Sequence, residues 1–139
     1  MLNRWSGIAV SAIIFAGFLW DLSPSPAAAP LTPQTSDVAG VRVVVTPKNV
    51  DRDARIWGFE IVMDTHTKPL NDNLAQASVM IDGAGGRYEP VGWTGDGPGG
   101  HHRKGVLQFP APKEMPTTIE LQIDGIGGAG VRKFQWELK

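Results

Sequence analysis

The sequence predicts an all-β domain: a seven-stranded antiparallel sandwich of immunoglobulin-like type, carried behind one N-terminal transmembrane helix and a Pro-rich linker. Three observations predict it. Apolar residues recur with period two in short runs from Val38 onward, and no stretch there sustains a 3.6 period. Gly 17 and Pro 11 in 139 residues break those runs at turns. Residues 5–20 carry no charge at all.

The apolar run comes first. As a helix, residues 5–22 span roughly 27 Å, the depth of a thin hydrocarbon core. Trp5 and Trp20 bracket the run, where indoles sit at the two water interfaces. Arg4 on one side and Asp21 on the other place the N-terminus in the cytoplasm and the rest outside. A cleaved signal peptide ending near Ala27-Ala28-Ala29 is the competing reading, and it exports the domain equally. Gly7 and Ser11, four apart, suit close approach of a second helix. Residues 1–22 are therefore read as the anchor. Residues 23–37, rich in Pro and Ala, are read as an extended semi-rigid linker.

Residues 38–139 are read as the sandwich. Val41, Val43 and Val45 share one face of the first strand. Trp57, Phe59, Ile61 and Met63 share one face of the second. Ala77, Val79 and Ile81 supply the third, which leaves Met80 out of register and exposed. Tyr88, Pro90 and Trp93 mark an irregular fourth. Gly105, Leu107 and Phe109 give the fifth, Ile119, Leu121 and Ile123 the sixth, and Phe134, Trp136 and Leu138 the seventh. Seven strands in about a hundred residues is sandwich spacing. Trp57 and Trp136 are the expected centres of packing.

Composition excludes several functions. Thirteen Lys and Arg against fourteen Asp and Glu give a net charge of -1, too little basic excess for a nucleic-acid binder. Cys 0 excludes disulfides, thiolate metal sites, a Cys nucleophile and a lipidated Cys anchor. The literal GxGxxG at Gly125, Gly127 and Gly130 precedes alternating residues instead of a helix, so it reads as a hairpin turn. No nucleophile elbow or phosphate loop occurs, and no paired acids stand out.

The phrases Asp64-Thr65-His66-Thr67 and Gly99-Gly100-His101-His102-Arg103, the latter leading into Val106-Leu107-Gln108-Phe109, resemble those of short exported bacterial β-sandwich proteins of unassigned role. The resemblance covers most of residues 38–139 and implies export and fold, with no activity.

Two candidate sites remain. His66, His101 and His102 lie at strand ends with Asp64, a donor set suited to copper or zinc if the ends meet. Neighbouring side chains in a strand diverge, which opposes joint ligation by His101 and His102. The alternative is a hydrogen-bonded network with Arg103 paired to Asp64 or Asp96. The glycine-rich loop 93–103, with Trp93, Tyr88 and Arg103, suits a low-relief protein contact surface.

The expected function is a non-catalytic module in the bacterial inner membrane, with its domain in the periplasm. It would contact lipid and the transmembrane subunits of a larger photosynthetic or respiratory complex as an accessory or assembly subunit. A periplasmic copper- or zinc-binding domain is the alternative.

Overall fold

Period-two alternation becomes two stacked antiparallel sheets in the computed structural model, which describes residues 31–138. In chain order the elements are β1 (Gln34–Val38), β2 (Val41–Pro47), β3 (Ile56–Thr65), a single helical turn α1 (Leu74–Ala77), β4 (Ser78–Asp82), β5 (Arg87–Tyr88), β6 (Gly92–Gly95), β7 (His102–Pro110), β8 (Thr118–Ile123) and β9 (Arg132–Glu137). One sheet runs β1-β2-β3-β7-β6 and the other β5-β4-β8-β9. The segment Gly125 to Gly130 joins the paired strands β8 and β9 through one 3₁₀ turn, Ile126–Gly128, as a hairpin connection should.

The core lies between the sheets. Val41, Val43, Val45, Trp57, Phe59, Ile61, Met63, Leu107 and Phe109 from the first sheet meet Met80, Ile119, Leu121, Ile123, Phe134 and Trp136 from the second. Phe59 is its centre. Its ring stands edge-on to Phe109 and tilted against Trp136, both at 5.7 Å between centroids. The Trp136 contact crosses from one sheet to the other, so Phe59 takes the place expected of Trp57. Trp57 is buried as well, but its indole N–H turns away to the Asp51 carbonyl at 3.0 Å.

Four expectations need correcting. The expected seven strands are nine among the described residues. The added β1 occupies residues expected to be linker. It is polar because it is an edge strand, and it pairs with β2 through a two-residue turn. Ala39 and Gly40 both have positive φ there, +54° and +74°, the backbone that matches the twist of a hairpin. The irregular fourth strand is two strands in different sheets. β5 pairs with β4, and β6 pairs with β7, so the chain changes sheet across Pro90.

The last correction is one of phase. Met80 is fully buried, and Val79 and Ile81 face outward, half-buried. α1 places Leu74 in the core, and the strand that follows pairs Met80 with Leu121, whose side chain points inward. Ala77 falls in α1, ahead of the strand. The anchor read at 1–22, with Trp5, Gly7, Ser11 and Trp20, lies outside the described residues. Among the described residues no helix is long and apolar enough to cross a membrane.

The phase is testable. Met80→Ala is expected to cost about 2–5 kcal/mol, as for a buried large-to-small change, and Val79→Ala less than about 1 kcal/mol. Denaturant midpoints of the two variants measure the difference.

Candidate functional site

One end of the sandwich gathers most of the polar chemistry. Three connections meet there: 66–73, 96–101 and 124–131. Two buried arginines hold them.

Arg103 is in phase with Gly105, Leu107 and Phe109, so alternation turns it inward, and it is only 3% exposed. Trp93 on β6 is opposite Leu107, and its indole lies across Gly105. A Cβ at Gly105 would stand 2.4 Å from that ring, so only glycine admits it. The Arg103 guanidinium rests 5.2 Å from the ring centroid, a cation–π distance. It donates from Nε to the Asp96 carbonyl at 3.1 Å, and from Nη1 to the Asp72 carbonyl at 2.6 Å and the Leu70 carbonyl at 3.4 Å. The expected partners were carboxylates, but the bonds go to main-chain carbonyls, which the turning loops leave without strand partners. The Trp93 N–H also donates to the Asp96 carbonyl, at 2.9 Å. The Asp96 carboxylate instead accepts from the Lys104 amide at 2.9 Å. Loop 96–101 is tied sideways to loop 66–73 through Gly99 N–H to Leu70 C=O at 2.9 Å and Leu70 N–H to Gly100 C=O at 3.0 Å.

Arg132 does the same work for the connection 124–131, which it ties to the β1–β2 hairpin. It is 4% exposed at the start of β9, in phase with Phe134 and Trp136. Nη1 donates to the Val41 carbonyl at 2.9 Å and to Ser36 carbonyl and hydroxyl oxygens, each at 3.1 Å. Nη2 donates to the Val38 carbonyl at 2.8 Å and the Ile126 carbonyl at 3.3 Å. Burial lowers its pKa from the ordinary arginine value, opposed by the charges of Asp37 and Asp72. Its Nε is buried without a partner among the described residues. Lys68 adds a bond from Nζ to the Gly127 carbonyl at 2.7 Å, joining loop 66–73 to loop 124–131. Arg132 was absent from the sequence-based candidates, yet its alternation with core positions is the signal that finds it.

The metal set does not assemble. Of His66, His101, His102 and Asp64, only His102 and Asp64 meet, Nδ1 to Oδ1 at 2.5 Å on the outer face. His101 contributes its carbonyl, which accepts from the Thr65 amide at 2.9 Å, while its exposed neighbour His102 follows the strand. His66 follows the last residue of β3 and is exposed. Among the described residues no group of three His, Cys, Asp or Glu could hold a metal ion. His66 stands in the bend after β3 and His101 in the bend before β7, so neither shares the outward row of His102 and Asp64. The His102–Asp64 pair instead extends a cross-strand row, Asp37–Arg42–Asp64–His102, in register over β1, β2, β3 and β7.

Tyr88 and Trp93 do not share a surface either. Trp93 belongs to the first sheet, whereas Tyr88 lies on β5 of the second and donates its hydroxyl to the Asp82 carboxylate at 2.9 Å. That carboxylate also accepts from the Ala84 amide at 2.9 Å and the Gly86 amide at 2.8 Å. Burial acts to raise the Asp82 pKa, but hydrogen bonds from Gly86, Tyr88, Ala84 and Gly85 together bring it below the usual carboxylate value. The bond to Asp82 raises the Tyr88 pKa, assisted by burial and by the carboxylate charge.

An open depression of about 590 Å³ lies where β5 leaves β4, lined by Gln76, Ser78, Val79, Arg87, Glu89 and Asp124 among others. The Ser78 hydroxyl is buried without a partner among the described residues. No protein-family model, curated protein or solved structure matches the chain.

Two predictions follow from these contacts. Arg103→Met keeps much of the side-chain bulk but removes bonds to three carbonyls and leaves that of Asp72 without a donor, and is expected to cost roughly 2–4 kcal/mol in denaturant unfolding. Tyr88 is the sole tyrosine, so absorbance titration of the full chain reads it alone. Asp82→Asn is expected to bring its midpoint down toward the ordinary value. A raised Tyr88 pKa adds stability below the unfolded tyrosine pKa, and that stability is lost as pH rises through the folded one. The lowered Asp82 pKa adds stability above the unfolded carboxyl pKa, lost as pH falls through the folded one. In the variant's stability–pH curve the acid-side loss should vanish with the carboxyl, and the alkaline loss should shrink, because the burial of Tyr88 remains.

Proposed function

We propose that this chain is a membrane-anchored interaction module whose sandwich, outside the inner membrane, offers the loop end 66–73, 96–101 and 124–131 to a partner. The observation that carries the reading is the direction in which the chain enters the domain. β1 runs beside β9, with Gln34 accepting from the Gln135 amide at 3.0 Å and the Thr32 carbonyl accepting from the Trp136 indole at 2.8 Å. Thr32 thus lies at the end of the sandwich opposite the three loops. A segment before it that is held in a membrane leaves those loops directed outward.

The strand order supports an immunoglobulin-like reading of the domain. β2-β3-β7-β6 over β4-β8-β9 corresponds to A-B-E-D over C-F-G of the constant-type sandwich, with β1 and β5 added at the edges. In that correspondence the three connections are the B–C, D–E and F–G loops, which cluster at one end. Fastening by Arg103, Arg132 and Lys68 favours recognition, because a loop already held in shape loses less conformational entropy on binding. The uncharged run 5–20 and the Arg4/Asp21 asymmetry support the anchor, its orientation and a periplasmic domain. Trp5, Trp20, Gly7 and Ser11 are the residues proposed to meet lipid and the transmembrane subunits of a larger complex, photosynthetic or respiratory, that this chain helps to assemble.

Purification of the full chain from native membranes in mild detergent is expected to bring down a stoichiometric partner. His66→Glu combined with Pro98→Glu, both at exposed positions of the loop end, is expected to release it. Lys113→Glu, at the opposite end, is expected to retain it. A monodisperse lone monomer from the wild-type preparation overturns the reading.

A further inference from the structure

Three Asp–Gly pairs occur in the chain, Asp82-Gly83, Asp96-Gly97 and Asp124-Gly125. Each has the composition that permits a spontaneous rearrangement. The backbone amide nitrogen after the aspartate attacks the side-chain carboxyl carbon, and glycine offers the least steric resistance to that approach. The three differ sharply in how they are held.

Asp82 is fixed on every side. Its carboxylate accepts from the Ala84 and Gly86 amides and the Tyr88 hydroxyl, and the Gly83 amide donates to the Thr118 carbonyl at 2.9 Å. Asp96 is fixed at its carboxylate by the Lys104 amide, at its own amide by the Lys104 carbonyl, and at its carbonyl by Trp93 and Arg103. Asp124 has one bond, from its amide to the Ala77 carbonyl at 2.9 Å. Among the described residues, its carboxylate accepts no hydrogen bond and the Gly125 amide donates none. It is exposed, and Gly125 follows with φ +77°.

We propose that Asp124-Gly125 is a site of spontaneous isoaspartate formation in the folded protein. The Gly125 nitrogen bonds to the Asp124 Cγ of the protonated carboxyl. The Cγ–OH bond breaks, and the hydroxyl leaves with the amide proton as water, closing a five-membered succinimide. Water then adds to one of the two ring carbonyls. Opening at Cγ restores aspartate. Opening at the main-chain carbonyl gives isoaspartate, with the backbone rerouted through the side chain and lengthened by one methylene. No oxidant or co-reactant is needed. The lengthened link lies two residues before the buried Ile126, whose carbonyl Arg132 holds.

The test is ageing of the full-length chain at neutral pH and physiological temperature, with a denatured sample in parallel. Isoaspartate is read in the three peptides by chromatographic separation and by resistance to an endoproteinase that cuts before aspartate. In the folded chain the Asp124 peptide is expected to convert on the order of tenfold faster than the other two, since their reaction must await local opening. In the denatured chain all three should convert at similar rates. Asp124→Glu, which would require a less favourable six-membered ring, should abolish conversion at that position. Equal rates at the three sites in the folded chain overturn the proposal, as does a folded Asp124 peptide that stays unconverted while its denatured counterpart ages.

Discussion

The guanidinium of Arg132 is the constraint on which the arrangement of the loop end depends. Five acceptors converge on it: the carbonyls of Ser36, Val38, Val41 and Ile126, and the Ser36 hydroxyl. They belong to the β1–β2 hairpin and to the β8–β9 connection, which lie in different sheets. Apolar packing between sheets is non-directional and would tolerate sliding of one over the other. A buried cation surrounded by main-chain oxygens tolerates far less, because any shift leaves a charge in an apolar setting without partners. Arg103 repeats the device on the neighbouring loops, with an indole as one wall. In a chain without cysteine these two side chains provide specific cross-links between loops that a disulfide-rich domain would make covalently.

Much of the sandwich was legible because alternation is a direct consequence of strand geometry. Val41-Val43-Val45, Trp57-Phe59-Ile61-Met63 and Ile119-Leu121-Ile123 each have one possible phase, and all are buried as that phase requires. The same rule contains the two arginines. Arg103 keeps step with Gly105 and Leu107, and Arg132 with Phe134, so both were readable as inward-facing, although charge made a solvated position the natural assumption. His102 and Asp64, in antiphase to these core series, meet on the outer face as the rule demands.

What was illegible has equally physical causes. Val79, Met80 and Ile81 are three apolar residues in succession, and the polar flanks Ser78 and Asp82 point to Val79 and Ile81 as the inward phase, whereas Ser78 is buried with Met80 and the phase is the opposite one. Only the turn of α1 and the pairing of Met80 with Leu121 supply it. β1 has no apolar face because the side chains of an edge strand are half in water, and proline on its approach masks it further. The division of residues 87–95 between two sheets is a tertiary choice, made where the chain crosses over at Pro90. The loop end itself could not be drawn from spacing, since it exists only once both sheets are stacked.

The placement of β1 also bears on mechanics. Ladder hydrogen bonds lie perpendicular to their strands. A pull applied between Thr32 and the loops acts along the strand axis, so the five β1–β2 pairs from Gln34↔Val45 to Val38↔Val41 bear the load together in shear. They are not unzipped in turn. A tethered domain strained from its two ends would therefore yield only when an entire rung set fails at once, and a short polar edge strand becomes the clamp that bears tension.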